Sequence, residues 1–308
     1  MTDIATQSGH FDWEGHRIAY TSHGEGDNVV VLIHGLLLSQ KMHLPLAQAL
    51  AERGLRAVTL DVLGHGASER PVDMTQYSMA RFGQQAIALL DALGVEDAVL
   101  LGTSLGANTS LEAAVFAPHR VRGMVIEMPV LDNALLGCAI AFTPAMAALS
   151  FGTGPMRALG RALRMIPTSK MWEADFLLDV LRQDPAPSAA VLNGLFFGEV
   201  APHRDVRKTI KTPTLIIGHR RDPVHPFSDA KALAEEIEGA KFVQASSIVE
   251  LRVAPQRLTD EIGEFVEQCF AEPHPERTPA QKVRSGAAQQ RQRKAAVAKR
   301  RAAKPKAA

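Results

Sequence analysis

The stretch Leu-Leu-Gly-Thr-Ser-Leu-Gly-Ala-Asn at residues 100–108 decides the fold. The apolar run over 97–104 predicts a strand, and a helix is predicted directly after it, over 105–116. A G-x-S-x-G sequence at such a junction holds its serine in a strained backbone conformation, so the hydroxyl of Ser104 should stand above the sheet edge at a helix N-terminus. The context favours a serine nucleophile over the alternative, a tight turn in which serine is merely small.

Strands and helices alternate on both sides of this junction. The predicted strands after an N-terminal strand pair are 29–33, 56–62, 97–104, 122–128, 212–219 and 240–246. The predicted helices are 41–53, 79–93, 105–116, 227–237 and 255–270. This order predicts an α/β fold, in which helices cover both faces of a mostly parallel twisted sheet. Residues 1–131 and 206–271 would form the core, and residues 132–205 a helical cap inserted over it.

Composition excludes several classes of protein. The 308 residues are 46% hydrophobic and 22% charged with a net charge of +1, unlike a collagen-like, coiled-coil or wholly disordered chain. No apolar run is long enough to span a membrane. Cys138 and Cys269 show neither a disulfide framework nor metal-ligand spacing, so no cofactor or metal is indicated. The first residues lack the features of a signal peptide, and we expect a cytoplasmic protein.

The charge is divided unevenly along the chain. Residues 272–308 contain eleven Lys and Arg against two Glu, a net +9, which leaves −8 on residues 1–271. This tail has no aromatic residue and few aliphatic ones, so we expect it to be disordered. It could contact a polyanion such as nucleic acid or an anionic membrane, or simply solubilise the acidic body.

Four stretches together carry a resemblance to a known family. They are VVVLIHGLLLS (29–39), LDVLGHGAS (60–68), LLGTSLGAN (100–108) and PTLIIGHRRDPVHP (213–226). Over residues 10–271 the chain resembles the α/β-hydrolase fold superfamily, in its esterase and haloperoxidase-like branch. The resemblance implies that Ser104 is the nucleophile and that the backbone N–H groups of Leu36 and Leu105 form the oxyanion hole. It also implies that Asp222 is the triad acid, with Asp132 a weaker candidate.

The expected triad base is missing from its usual place. The family carries its histidine in the loop after the last strand, and residues 246–254 contain none. His225, three residues after Asp222, could reach Ser104 instead. Glu250, in the histidine-free loop, could act as base if burial raises its pKa. His43 and His219 are further candidates for the pocket, and each of these side chains could equally serve only in packing.

Two functions follow from these residues. The first is a serine hydrolase that cleaves a carboxylic ester or related acyl bond through an acyl-enzyme on Ser104. The second is a ligand-binding protein that kept the serine turn but lost the base, a pseudoenzyme. The Met- and Phe-rich cap predicts a hydrophobic small molecule as the substrate or ligand. The sequence does not determine the oligomeric state.

Overall fold

Eight strands form one sheet in the computed structural model, which describes residues 4–165, 178 and 182–274. The order across the sheet is β1-β2-β4-β3-β5-β6-β7-β8. Their bounds are β1 Thr6–Trp13, β2 His16–His23, β3 Val29–Ile33, β4 Arg56–Asp61, β5 Ala98–Thr103, β6 Val121–Glu127, β7 Thr214–His219 and β8 Lys241–Ala245. The β1–β2 and β2–β4 pairs are antiparallel and all other pairs are parallel, so the predicted fold class is confirmed.

Ten α-helices lie within the described residues. They are α1 Leu44–Glu52, α2 Met79–Leu93, α3 Leu105–Phe116, α4 Leu135–Phe151, α5 Thr153–Arg164, α6 Pro185–Phe196, α7 Arg204–Arg207, α8 Phe227–Glu236, α9 Glu250–Val253 and α10 Gln256–Ala271. Three short 3-10 helices cover Gln40–His43, Met74–Gln76 and Pro118–Arg120.

The central strands are buried on both faces, because successive side chains point to opposite sides of a sheet. In β3, Val31 and Ile33 join a cluster with residues of α2, α3 and α8. Val30 and Leu32 point the other way and pack against α1 and α10. This two-sided burial explains why the strand is apolar throughout instead of alternating.

The segment between β6 and β7 contains only helices and loops where the structure describes it. Leu149 of α4 packs with Ala189 and Leu192 of α6. In the described part of the chain, no single helix is long and apolar enough to cross a membrane. The pair α4 and α5, bent by 92° between them, meets the length and composition requirement only together. The predicted tail lies outside the described residues from 275 onward.

Candidate active site

Ser104 sits in the turn between β5 and α3 with a backbone φ of 56°, in the region that disfavours residues other than glycine. The two flanking glycines make this turn possible. A Cβ on Gly102 would lie 2.0 Å from backbone atoms of Gly106, and a Cβ on Gly106 would lie 2.1 Å from the carbonyl oxygen of Ile33. The turn therefore requires glycine at both positions and holds the strained serine in place.

His225 and Asp222 meet Ser104 from the loop between β7 and α8. The Nε2 atom of His225 is 2.9 Å from Ser104 Oγ, and its Nδ1 atom is 2.9 Å from Asp222 Oδ2. With a proton on Nδ1 donated to the carboxylate, Nε2 is free to accept the serine hydroxyl proton. The arrangement is that of a nucleophile, a base and the acid that orients the base.

The same loop fixes the Asp222 carboxylate. Its Oδ1 atom accepts hydrogen bonds from the backbone N–H groups of Val224 at 2.8 Å and His225 at 2.9 Å, which closes an Asx-type turn. Burial by itself raises the pKa of Asp222, but the His225 ring and these N–H groups together hold it below its usual value. The carboxylate is therefore ionised at neutral pH and aimed at the imidazole.

Two backbone donors stand beside the serine. No acceptor for the N–H of Leu36 or Leu105 is found within the described ranges. Leu105 is the first residue of α3, where helix N–H groups lack an internal partner, and Leu36 follows the His34-Gly35 turn. Both residues line the cavity that contains Ser104, so the pair is available to a developing oxyanion.

The cavity above Ser104 has a volume of about 250 Å³ and an apolar wall. The cap supplies much of this wall through α4 and α6. Its lining residues are Leu36, Met79, Ser104, Leu105, Val130, Leu135, Cys138, Ala139, Phe142, Leu192, Leu195, Phe196 and Val200. Apart from the serine hydroxyl and the Cys138 thiol, the lining side chains are hydrocarbon or thioether, which suits a small hydrophobic group.

The structure places Glu250 away from the serine. Its carboxylate accepts hydrogen bonds from the Ser246 N–H and from Arg257 at 2.8 Å. Burial by itself raises the pKa of Glu250, but these donors reverse the effect and the net shift is downward. The condition under which Glu250 could serve as base, a raised pKa, is therefore not met.

The remaining sequence candidates also lie elsewhere. Asp132 forms an ion pair with Arg207 at 3.3 Å and does not line the cavity above Ser104. His43 and His219 are buried, and neither lines the cavity above Ser104. The Nε2 of His43 is 3.1 Å from the carbonyl oxygen of Ile33, which gives this histidine a structural contact.

The sequence patterns did not predict a buried network of polar and charged side chains around Glu127, next to the serine turn. Glu127, at the end of β6, accepts hydrogen bonds from Thr103 at 2.5 Å and Arg252 at 2.8 Å, and His219 Nε2 lies 3.3 Å from it. Burial alone raises the pKa of Glu127, but Arg252 and His219 outweigh it and the net shift is strongly downward. The available signal was a charged residue directly after the apolar run 124–126 of β6.

This network supports the turn directly. Thr103 precedes the serine, and the Ser104 N–H donates to the carbonyl oxygen of Glu127 at 2.9 Å. Arg252 also donates to the Thr103 hydroxyl at 3.1 Å. The loop that was expected to carry the base thus contributes Arg252, which contacts Thr103 and Glu127 next to the serine turn. No group of three or more His, Cys, Asp or Glu within the described residues could hold a metal ion.

Known proteins resemble this chain in sequence and in fold. The family model for the α/β-hydrolase fold matches residues 28–141. A 2-hydroxymuconate semialdehyde hydrolase of Pseudomonas sp. strain CF600 is 25% identical over 81% of this chain and 86% of its own length. The serine hydrolase BPHL of Mus musculus is 26% identical, over 74% of this chain and 75% of that protein.

Solved structures agree on the fold. The enol-lactonase from Burkholderia xenovorans LB400 superposes with a TM-score of 0.68 at 21% identity, covering 84% of this chain and all of the enzyme. At this identity the likeness concerns the fold alone. General hydrolase activity is supported by the family match and by the sequence relatives.

Proposed function

Because this chain belongs to the α/β-hydrolase fold superfamily, we propose that it is a serine hydrolase that cleaves a carboxylic ester or related acyl bond of a hydrophobic small molecule. One observation carries the proposal. The hydroxyl of Ser104, the imidazole of His225 and the carboxylate of Asp222 form a continuous hydrogen-bonded line with 2.9 Å at each contact.

In the first half of the reaction, His225 takes the proton of Ser104 as Oγ attacks the carbonyl carbon of the substrate. The N–H groups of Leu36 and Leu105 stabilise the negative charge on the carbonyl oxygen. Asp222 keeps the imidazole oriented and stabilises its protonated form. The imidazolium then gives its proton to the departing alkoxide, which leaves the acyl group on Ser104.

In the second half, a water molecule enters beside His225 and gives up a proton to the same Nε2 atom. The resulting hydroxide attacks the acyl carbon, the oxyanion forms again at the two amides, and Ser104 recovers its proton from the imidazolium. The free carboxylic acid leaves. Each step uses side chains that the described geometry already brings into contact.

The wall of the cavity supports a hydrophobic acyl or alkyl group as the part of the substrate that binds. Phe142, Leu192 and Leu195 face a volume of about 250 Å³, which is small for a drug-sized ligand and suits a short chain or a small ring. The resemblance to an enol-lactonase and to a serine hydrolase is compatible with an ester bond at a serine.

A fluorophosphonate probe tests the proposal, because it phosphonylates only an activated serine. We expect rapid labelling of the wild-type protein and none of Ser104→Ala, with hydrolysis of short p-nitrophenyl esters showing the same dependence. The Glu250→Gln variant is the matched control and should label at the wild-type rate. A wild-type protein that stays unlabelled while binding apolar ligands would instead support the ligand-binding alternative.

A further inference from the structure

The outer side of α4 is exposed and carries no charge. Residues 133–156 contain no Asp, Glu, Lys or Arg. On this helix Leu136 is 72% exposed, Ile140 69% and Phe151, its last residue, 91%. These three positions and Ala147 fall on one stripe at helical spacing. A surface helix normally has charged or polar residues on its exposed side. An exposed apolar stripe therefore indicates a surface that binds another molecule or a membrane.

The inner side of the same helix is already occupied. Leu135, Cys138, Ala139 and Phe142 line the cavity above Ser104. Leu149 packs against residues of α6 in the cap cluster. The helix therefore carries no charge on any side, and the described residues cover only its inner side. The uncovered stripe is not explained by packing of the cap onto the core.

The next helix in the chain, α5, begins two residues after Phe151 at an angle of 92° to α4 and carries positive charge. Arg157, Arg161 and Arg164 of α5 are exposed and recur at intervals of four and three residues, which places them on one face. Within the described residues Arg161 makes no hydrogen bond or ion pair. Arg157 has only an exposed pair with Asp184 at 3.4 Å. Residues 133–165 contain three arginines and no acidic residue.

This combination matches a lipid surface better than a second copy of the chain. Two copies meeting through this face would bring their arginines together, and the carboxylate that the described residues place against them, Asp184, is already paired with Arg157 of its own chain. An anionic bilayer supplies both complements: hydrocarbon for the apolar stripe and phosphates for the guanidinium groups. The basic residues of 272–308 add charge of the same favourable sign.

We propose that the docking face formed by Leu136, Ile140, Phe151, Arg157 and Arg161 binds the surface of an anionic lipid bilayer. The apolar side chains of α4 enter the acyl boundary, and the arginines of α5 lie at the level of the headgroups. Docking does not depend on the chemistry of Ser104. A corollary does rest on the proposed function: a lipophilic ester dissolved in the bilayer would lie one helix away from the nucleophile.

The test is co-sedimentation of the full chain with phosphatidylcholine vesicles containing about 30 mol % phosphatidylglycerol, compared with pure phosphatidylcholine. The triple variant Leu136→Ser/Ile140→Ser/Phe151→Ser should lower the partition coefficient by about tenfold or more. The matched control Phe116→Ser removes a side chain that is 59% exposed at the far end of α3, and it should bind normally. The Ser104→Ala protein should bind as the wild type does, which separates docking from catalysis.

A second pair of variants tests the charge. Arg157→Gln/Arg161→Gln should weaken binding to anionic vesicles by about 30-fold, because each Lys or Arg near an anionic surface contributes about 1 kcal/mol to the binding free energy. The control Lys208→Gln/Lys211→Gln removes two exposed lysines outside the docking face and should have little effect. Circular dichroism shows that each variant is folded.

Three results would overturn the proposal. The first is the absence of vesicle binding by the wild-type protein. The second is vesicle binding that the triple variant leaves unchanged, which would assign it to the basic tail. The third is a wild-type dimer in light scattering that the triple variant converts to a monomer, which would show that a second copy covers this face.

Discussion

The loops after β7 and β8 reach opposite sides of the same serine. The first loop carries Asp222 and His225 and contacts Ser104 Oγ through an imidazole at 2.9 Å. The second loop leads into α9, whose Arg252 reaches Thr103 and Glu127 behind the serine. The family's usual arrangement would put the base on the second loop. In the proposed mechanism the first loop supplies both acid and base, and the second loop supports the turn.

The comparison shows which requirement the chemistry imposes. A histidine base must have a ring nitrogen within hydrogen-bond distance of the serine hydroxyl. Which strand precedes the loop that carries this histidine matters less. Because β6, β7 and β8 are parallel neighbours, their carboxyl ends and the loops that follow them share one edge of the sheet. Either loop can therefore approach Ser104.

The largest expected effect is on the first loop. Replacing His225 by alanine should lower kcat/KM for ester hydrolysis by about 10⁴-fold, because the serine loses its only described proton acceptor. Steady-state kinetics and the rate of fluorophosphonate labelling both measure this loss. The same assays on Glu250→Gln should give wild-type values, and a large loss there would return the role of base to the second loop.

Asp222→Asn should cost a comparable factor, about 10⁴-fold in kcat. The amide can donate to Nδ1 and so favour the tautomer whose Nε2 carries the proton, which cannot accept one from Ser104. KM should change little because Asp222 does not line the cavity. Equal activity of this variant and the wild type would mean that the carboxylate only shapes the loop.

The supporting loop should affect stability more than chemistry. Arg252→Met leaves the buried Glu127 carboxylate without its closest cation, so the free energy of unfolding should fall by about 3 kcal/mol. Urea denaturation measures this change. The double variant Arg252→Met/Glu127→Gln should recover much of the loss, since it removes the uncompensated charge. A catalytic loss as large as that of His225→Ala would contradict the division between the loops.

The smallest effect is a pH dependence from His43, which belongs to the supporting side. Burial first, then the charge of Arg252, lowers its pKa from 6.5 to about 3. The unfolded chain therefore binds this proton below about pH 6.5 and the folded chain only near pH 3, so the free energy of unfolding decreases as the pH is lowered from 6.5 to 3. At pH 4.5, two pH units below the pKa of the unfolded chain, the cost should be about 2–3 kcal/mol, and His43→Gln should remove it. Urea titrations at pH 7.0 and 4.5 measure the difference, with the exposed His203→Gln as control.

Local patterns predicted most of the fold. The helix predicted over 105–116 matches α3 in both bounds, because a glycine-bounded turn and a helix start at the same serine. Asp222 could be predicted as a candidate from the family resemblance, and His225 because it lies three residues later in the same loop at the expected catalytic edge of the sheet. The sequence could not show that His225, and not Glu250, lies within hydrogen-bond distance of Ser104. The position of the His225 ring depends on the Asx-type turn at Asp222.

The supporting network could not be predicted from the sequence. Thr103, Glu127, His219 and Arg252 lie on four separate elements, and their contact depends on strand order and on the short helix α9. Glu250 illustrates the same limit, because its partner Arg257 comes from the following helix. The cytoplasmic location and the state of the tail stay predictions.

The acid and the base occupy a single turn, and this compactness has a consequence for protein engineering. In a chain with the usual arrangement, moving the dyad means rebuilding two distant connections at once. Here four consecutive residues, 222–225, carry both groups together with the backbone amides that orient them. Grafting this one segment could therefore transfer the proposed acid and base together to another scaffold, at a loop that ends beside a serine.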